Sequence, residues 1–359
     1  MRTIVGLCVA LGLAATASTA SAADPFYQGK RLSILINFAA GGPTDIEGRL
    51  FAKHIGTHIE GKPNIIVQNM DGAGGVVGTG YLGEVAPKDG TMVGYLTAAG
   101  WLYVVDPARF RVDIRNYEPV AYLPGTTVHY VRTDVKPGMK GPTDIAKAQD
   151  LVGGGLSVDT PKDITMRLAF DMLGVPYKYV TGYRSSARAR LALQRGEINY
   201  HAESPPAYRS VVEPSMTKEG MVIPVFYDGI EGGPADKAVR KMVEGLPIGT
   251  FPELYEKIKG KKPSGPQWEM YNTINSVNGP MQRLILLPPG APKEAVAALQ
   301  KAVQRLNEDK AFAEDAMKTI KFVPEYTADP NLKQEVRDLL TLKPEMSAAL
   351  TAYMKAANK

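Results

Sequence analysis

Cysteine is all but missing from this chain: one, Cys8, stands in 359 residues. It falls in an N-terminal stretch with the parts of a cleavable signal: basic Arg2, an apolar core from Ile4 to Ala15, and the small-x-small sequence Ala20-Ser21-Ala22. Leu7, just ahead of Cys8, is wrong for a lipoprotein site. Cleavage after residue 22 leaves a secreted chain with no thiol, no disulfide and no cysteine metal site, which fits a bacterial periplasm. Long hydrophobic runs are also missing: the signal core is too short for a membrane span, and no later segment reaches the roughly 20 apolar residues that one needs. A strong charge of one sign is absent too. The 42 Lys and Arg, one of them Arg2 in the signal, face 37 Asp and Glu, with the two signs interleaved. That pattern argues against nucleic acid and lends slight support to an anionic ligand. No G-x-x-x-x-G-K-[S/T], G-x-S-x-G or H-E-x-x-H occurs, and there is no fixed repeat or low-complexity stretch.

What the chain does have is glycine at two telling places. Phe38-Ala39-Ala40-Gly41-Gly42-Pro43-Thr44-Asp45 and Asn69-Met70-Asp71-Gly72-Ala73-Gly74-Gly75-Val76-Val77-Gly78 each follow an apolar strand pattern and open a helical one. Such turns put unshielded N–H groups at the positive end of a helix, an anion site that needs no Lys or Arg. Two of them at the carboxyl ends of neighbouring strands are placed to hold one small anion from both sides. The alternatives are a dinucleotide site, which Val77 in place of the third glycine disfavours, and glycines serving tight strand–helix packing only.

The flanking patterns read as alternating strands and helices. Leu32 to Phe38 alternates as a first strand, Ile65 to Val67 is a second and Met92 to Thr97 a third. Thr44 and Glu47 have the spacing of a capping box, and Ile46, Leu50, Phe51, Ile55 and Ile59 share one helix side. This βαβαβ order implies a parallel, doubly wound sheet. A second set follows: strands at Val128–Val131, Leu156–Val158, Tyr177–Val180, Ile198–His201 and Met221–Tyr227, with helices near Thr165–Leu173 and Ala187–Arg195. Gly229–Pro266 reads as loop with a short helix, Arg283–Leu287 as a strand, and Lys293–Glu308 and much of Asn331–Ala357 as helix. The fold class is therefore α/β, in two doubly wound lobes with a cleft between them. The chain crosses near Ala121–Thr127 and returns near Tyr255–Trp268, so residues 23–124 with 265–359 form the first lobe and 125–264 the second.

These pieces together resemble the solute receptors of tripartite tricarboxylate transporters, the Bug family. The resemblance rests on the two glycine turns, on Ala86-Pro87-Lys88-Asp89-Gly90, on Leu193-Gln194-Arg195-Gly196-Glu197-Ile198-Asn199 and on Leu287-Pro288-Pro289-Gly290-Ala291-Pro292, in order along nearly the whole chain. It implies two lobes that close on a carboxylate like a flytrap, delivery to a cation-coupled carrier with a large and a small membrane subunit, and no enzyme activity, cofactor or metal. It implies that Phe38 to Thr44 and Gly72 to Val77 hold the carboxylate, with Thr97 at the end of the third strand beside them. The second lobe contributes the loop Thr181-Gly182-Tyr183-Arg184-Ser185-Ser186 and the strand end Ala202-Glu203-Ser204. Pro43, where relatives carry Gly or Ser, removes one N–H donor. Trp101, Tyr103, Tyr183 and Arg184 are bulkier than the family pattern. They suggest an aromatic acid or a longer diacid with a second acidic end near Arg184. A diffusing receptor of this kind is expected to be a monomer.

Several residues carry two readings. His54 and His58 are four apart on one helix, as a metal pair or as a polar face; the face is the expectation. His129 and His201 lie in strands and are expected to be packing histidines. Ser215-Met216-Thr217-Lys218 fits S-x-x-K without its partner motifs. Asp45 caps or packs below the first turn. Glu203 either turns away and pairs with an arginine or meets an amino or hydroxyl group of the ligand. Asp159 either reaches the cleft or starts a helix. The rival functions are a sensory receptor feeding a membrane kinase and a periplasmic hydrolase.

Overall fold

A computed structural model describes residues 24–329 and 331–356. The expected signal, Cys8 included, lies outside them. The strands are β1 (Arg31–Ile36), β2 (Asn64–Asn69), β3 (Met92–Thr97), β4 (Glu118–Leu123), β5 (Val128–Arg132), β6 (Leu151–Gly154), β7 (Tyr177–Val180), β8 (Tyr200–Glu203), β9 (Val222–Tyr227) and β10 (Arg283–Leu287). The helices that matter most for the site begin with α1 (Pro43–His58), α2 (Val76–Glu84) and α3 (Ala99–Val105) in the first lobe. The second lobe adds α4 (Pro161–Leu173), α5 (Ser186–Gln194), α6 (Pro205–Ala207, running into π-helical Tyr208–Thr217), α7 (Gly233–Met242) and α8 (Phe251–Lys259). The chain then runs through α9 (Pro266–Asn278), α10 (Lys293–Asn307), α11 (Lys310–Ile320), α12 (Leu332–Leu339) and α13 (Pro344–Ala356).

The strands form two five-stranded sheets, ordered β2-β1-β3-β10-β4 and β7-β6-β8-β5-β9. β1 is parallel to β2 and β3, and β6 to β7 and β8, as the alternating pattern implies. β10 runs antiparallel to β3 and β4, and β5 antiparallel to β8 and β9. Each of these is the strand by which the chain enters a sheet from the other one. The expectation of a wholly parallel sheet thus fails at one strand per lobe, because a crossing chain arrives from the cleft side.

The two crossings lie side by side. Gly125 N–H donates to Gly279 O at 2.9 Å, and the Gln282 amide donates to Thr126 O at 3.0 Å. A side chain at Gly125 would collide with the Gln282 amide oxygen and displace the amide that ties the crossings.

Other differences from the sequence reading have local causes. Residues 156–158 are a turn, not a strand: the Asp163 carboxylate accepts from Leu156 N–H at 2.6 Å and Ser157 N–H at 2.9 Å. The strand lies earlier, at β6, where paired glycines hid it. The sequence hides β4 because Pro119 interrupts it; it is the last strand of its sheet, paired to β10 and bridged on its outer side at Tyr122 to Thr327, so that Pro119 sits where a missing N–H is tolerated. Gly229–Pro266 holds two helices, and Thr250 and Glu253 form a capping box at the start of α8. The capping box expected from Thr44 and Glu47 does not form. Gly42 is the N-cap, and Glu47 turns inward to Arg283.

His54 and His58 serve separately as struts between α1 and α11. Their Nε2 atoms lie 2.8 Å and 2.9 Å from Asp315 and Asp309. Among the described residues no group of three or more His, Cys, Asp or Glu side chains is arranged to hold a metal.

Candidate functional site

The cavity between the lobes is made chiefly of helix starts. α1 brings Gly42, Pro43 and Thr44; α4 brings Thr160, Pro161 and Lys162; α5 brings Ser185 and Ser186; α6 brings Ser204. Phe38 and Ala39 from the first glycine turn, Thr97 and Ala98 from the end of β3, and Leu156 complete the walls. The crossings supply Thr127, Asn278 and Gln282. The non-atom space here comes to about 570 Å³, a figure that includes solvent at the open mouth.

The local sequence explains why helices start here. Proline occupies the first turn of α1, α4 and α6, where its fixed φ suits the helix and its missing N–H is no loss. Ser185 caps α5 by accepting from Arg188 N–H at 3.3 Å. Helices α1, α4 and α5, of 16, 13 and 9 residues, thus turn their positive ends on one space.

Lys162 is the charged side chain in the cavity wall. Its ammonium donates to Ala202 O at 2.7 Å and lies 3.3 Å from Ser186 Oγ and 3.4 Å from His201 Nε2. Desolvation holds its pKa below the usual lysine value. The nearby carboxylates are occupied elsewhere. Asp163 takes the Leu156 and Ser157 amides and the Tyr179 hydroxyl, and Glu203 takes Arg190.

His201 is sealed, with Nδ1 2.7 Å from Gly154 O. A carbonyl accepts only from a protonated nitrogen, so Nδ1 carries the proton and Nε2 faces the Lys162 ammonium. Burial first, and the Lys162 charge second, hold the His201 pKa well below 6.5. The unfolded chain therefore takes up a proton that the folded chain refuses, and stability is lost as pH falls below about 6.5. Urea unfolding between about pH 7 and pH 5 is expected to show this slope, and His201→Asn is expected to flatten it. An unchanged slope in the variant would remove His201 from the account.

Of the sequence-predicted residues, Phe38, Ala39, Gly42, Pro43, Thr44, Thr97, Ser185, Ser186 and Ser204 meet in the cavity. Thr44 and Thr97 are joined hydroxyl to hydroxyl at 2.7 Å, and the Asn37 amide holds the Thr97 backbone through both its N–H and its C=O. Ala40 and Gly41 stay on the exposed side of the turn. Gly41 N–H is spent on Asp45 at 2.9 Å, the capping role foreseen for that carboxylate.

The second glycine turn is not in the cavity wall. Three of its amides close on the turn itself: Gly75 and Val77 donate to Gly72 O, and Val76 donates to Ala73 O. Gly74 instead abuts the other lobe, where a Cβ would lie 3.2 Å from the Thr160 methyl and 3.7 Å from the Ser157 Cβ.

The bulky candidates also lie outside the wall. The Trp101 indole donates to Asp159 O at 2.9 Å across the lobes, and Asp159 is ion-paired to Arg109. Tyr103 is buried against Phe110, with the Arg115 guanidinium over its ring. Gly182 is exposed, and Tyr183 packs against the apolar core of the second lobe. Arg184 is exposed and reaches Asp71 of the other lobe at 3.1 Å. Glu203 takes the first of its two alternatives. It is fully buried, held by Arg190 Nη1 at 2.8 and 2.6 Å and by the Tyr130 hydroxyl at 3.1 Å. Arg190 also reaches Gly41 O of the first turn at 3.4 Å. With these side chains committed to the protein, the sequence argument for an aromatic or long diacid ligand loses its residues. Ser215 donates to Val211 O at 2.6 Å, a helix contact with no base beside it.

Sequence reasoning missed Lys162, Thr127, Asn278 and Gln282. For Lys162 a signal existed. Thr160-Pro161-Lys162-Asp163 reads as a helix start, and a lysine in a first turn faces the positive end of the dipole. A cation placed against the local field is a reason to look for an anion. No comparable signal marks Asn278 or Gln282, whose places depend on how the crossings meet.

The two sheets, the double crossing and the cavity between the lobes define the fold of a two-lobed periplasmic binding protein. Solved structures share it. Periplasmic binding protein BugD aligns with a TM-score of 0.66 at 18% identity, covering 91% of this chain and 98% of that one. MatC (Rpa3494) from Rhodopseudomonas palustris with bound malate aligns at 0.61 and 18%, covering 90% and 99%. R. palustris Rpa4515 with adipate aligns at 0.64 and 16%, covering 92% and 98%. No protein-family model matches the chain, and no curated protein matches it by sequence.

Proposed function

We propose that this protein is a periplasmic receptor of the Bug kind, which captures an organic carboxylate between its lobes and delivers it to a cation-coupled tripartite membrane carrier. One observation carries the reading: three helices of nine or more residues, from both lobes, start on one cavity whose charged side chain is a lysine with no carboxylate partner. Burying a carboxylate is costly unless several donors converge on it, and here they do. The malate and adipate bound in two proteins of the same fold are of this ligand class. The lobes in this reading are residues 23–124 with 265–359, and 125–264. Ligand binding favours closure because the anion bridges donors from both. Ser186 Oγ lies 3.3 Å from Lys162 Nζ, but it accepts from an ammonium that also donates to Ala202 O, so the lysine acts there as a donor and not as a base, and no covalent step is assigned. Asn278, whose buried Oδ1 has no partner, gives the ligand a place for a hydrogen-bond donor such as a hydroxyl.

The test is thermal unfolding of the mature protein against citrate, C4–C10 dicarboxylates, benzoate, terephthalate, nicotinate and acidic amino acids. A bound acid at about 100 times its Kd is expected to add roughly 2.7 kcal/mol, a rise of several degrees at this size. The absence of a shift with every acid would overturn the carboxylate reading.

A further inference from the structure

Other cations around the cleft have carboxylates. Arg190 holds Glu203, Arg184 holds Asp71, Arg109 holds Asp159 and Arg283 holds Glu47. Lys162 has none within ion-pairing distance among the described residues; its contacts are the neutral Ala202 O, Ser186 Oγ and His201 Nε2. It is partly buried, it stands at the positive end of α4, and its wall neighbours are the starts of α1, α5 and α6. A lysine so placed, against the positive end of a helix and without an ion-paired carboxylate, is a cation whose charge partner an anion in the cavity would supply.

The geometry points to Lys162 as the counter-ion of the ligand carboxylate, acting with Ser186 as its relay. The Ser186 oxygen accepts from the ammonium, which leaves the hydroxyl proton free to be donated to an anion in the cavity. The His201 imidazole fixes the ammonium from behind, since its Nε2 accepts and its other nitrogen is spent on Gly154 O. Ser186 Oγ therefore presents a hydroxyl polarised by the Lys162 ammonium that donates to it. The expected result is selection by charge: an acid binds well and its isosteric amide binds poorly. Backbone donors alone would not discriminate so strongly, because an amide carbonyl also accepts from N–H groups. The inference rests on the carboxylate reading above and names the residue responsible for it.

The test is calorimetric titration of wild type, Lys162→Met, Lys162→Arg and Ser186→Ala with malate, adipate and benzoate and with their amides. For whichever acid binds wild type, Lys162→Met is expected to lose about tenfold to hundredfold in affinity while the amide changes little, so that the preference collapses. Ser186→Ala is expected to lose less, and Lys162→Arg to keep the preference for the acid. Lys162→Met that binds the acid as wild type does would overturn the role of Lys162 and leave the carboxylate reading intact. Should Lys162→Met fail to fold, Ser186→Ala decides: unchanged acid-over-amide preference there overturns the relay. If wild type binds none of these three and no acid of the wider thermal panel shifts it either, both readings fall together; an acid found in that panel takes their place in this titration.

Discussion

Leucine at position 47 is expected to cost about 3–5 kcal/mol of folding stability, the range for breaking a buried ion pair from one side. Glu47 and Arg283 are 2% and 1% exposed, and Arg283 Nε donates to Glu47 Oε2 at 2.6 Å. Burial pushes the Glu47 carboxyl up, and Arg283 works against that shift. Removing the carboxylate leaves a guanidinium in the core beside Tyr95 and Tyr326, with Gln282 as its other polar neighbour. Gln282 in turn ties the two crossings through Thr126 O, so the damage reaches the hinge. The pair itself need not be worth that much, because each ion lost its water on burial. Glu47→Leu combined with Arg283→Met is therefore expected to recover most of the loss, as a double-mutant cycle in urea would show. A single variant within about 0.5 kcal/mol of wild type would mean that water reaches Arg283, and the account of a sealed pair would fall.

Leucine at position 74 is expected to weaken ligand binding at least about tenfold while leaving both lobes folded. Gly74 sits at φ +67°, in contact range of Thr160 and Ser157 across the cleft. The left-handed backbone costs a side chain about 1–2 kcal/mol wherever it stands. The larger effect comes from shape, since a branched side chain fills the gap through which the second turn meets the other lobe. The lobes also meet where Trp101 and Arg109 reach Asp159, contacts expected to be lost in a variant that holds the lobes apart. A ligand that needs the closed form then binds in proportion to its population. Gly74→Ala separates the causes, as it carries the backbone strain without the wedge. Small-angle scattering is expected to give a larger radius of gyration for Gly74→Leu than for Gly74→Ala. Equal radii and equal affinities would show that this contact does not govern closure.

Much of the architecture was legible because its causes are local. Apolar alternation marked β1 and β3, and proline at Pro43 and Pro161 with serine at Ser185 marks helix starts that any chain obeys. The illegible parts were those where local signals compete. Glycines hid β6, proline hid β4, and Thr44 with Glu47 imitated a cap while the carboxylate was committed to a partner 236 residues away. Of the two glycine turns, one proved to line the cavity and one to seal the lobes, although their sequences suggest the same role. The difference lies in where the amides go, which depends on the turn closing on Gly72 O.

What the sequence by itself determined is the alternation of strands and helices, the α/β class with its two lobes, and a set of helix starts rich in glycine, proline and serine. Propensity, periodicity and capping act over a few residues, so a reader of the chain sees what the chain itself responds to. Only the tertiary structure decided which helix starts face one another, which carboxylates are paired, and that Lys162 alone among the cavity wall's described residues brings a charge with no carboxylate to meet it. Those outcomes depend on contacts between residues tens to hundreds of positions apart, and on burial, which turns a tolerable charge on the surface into one that requires a partner.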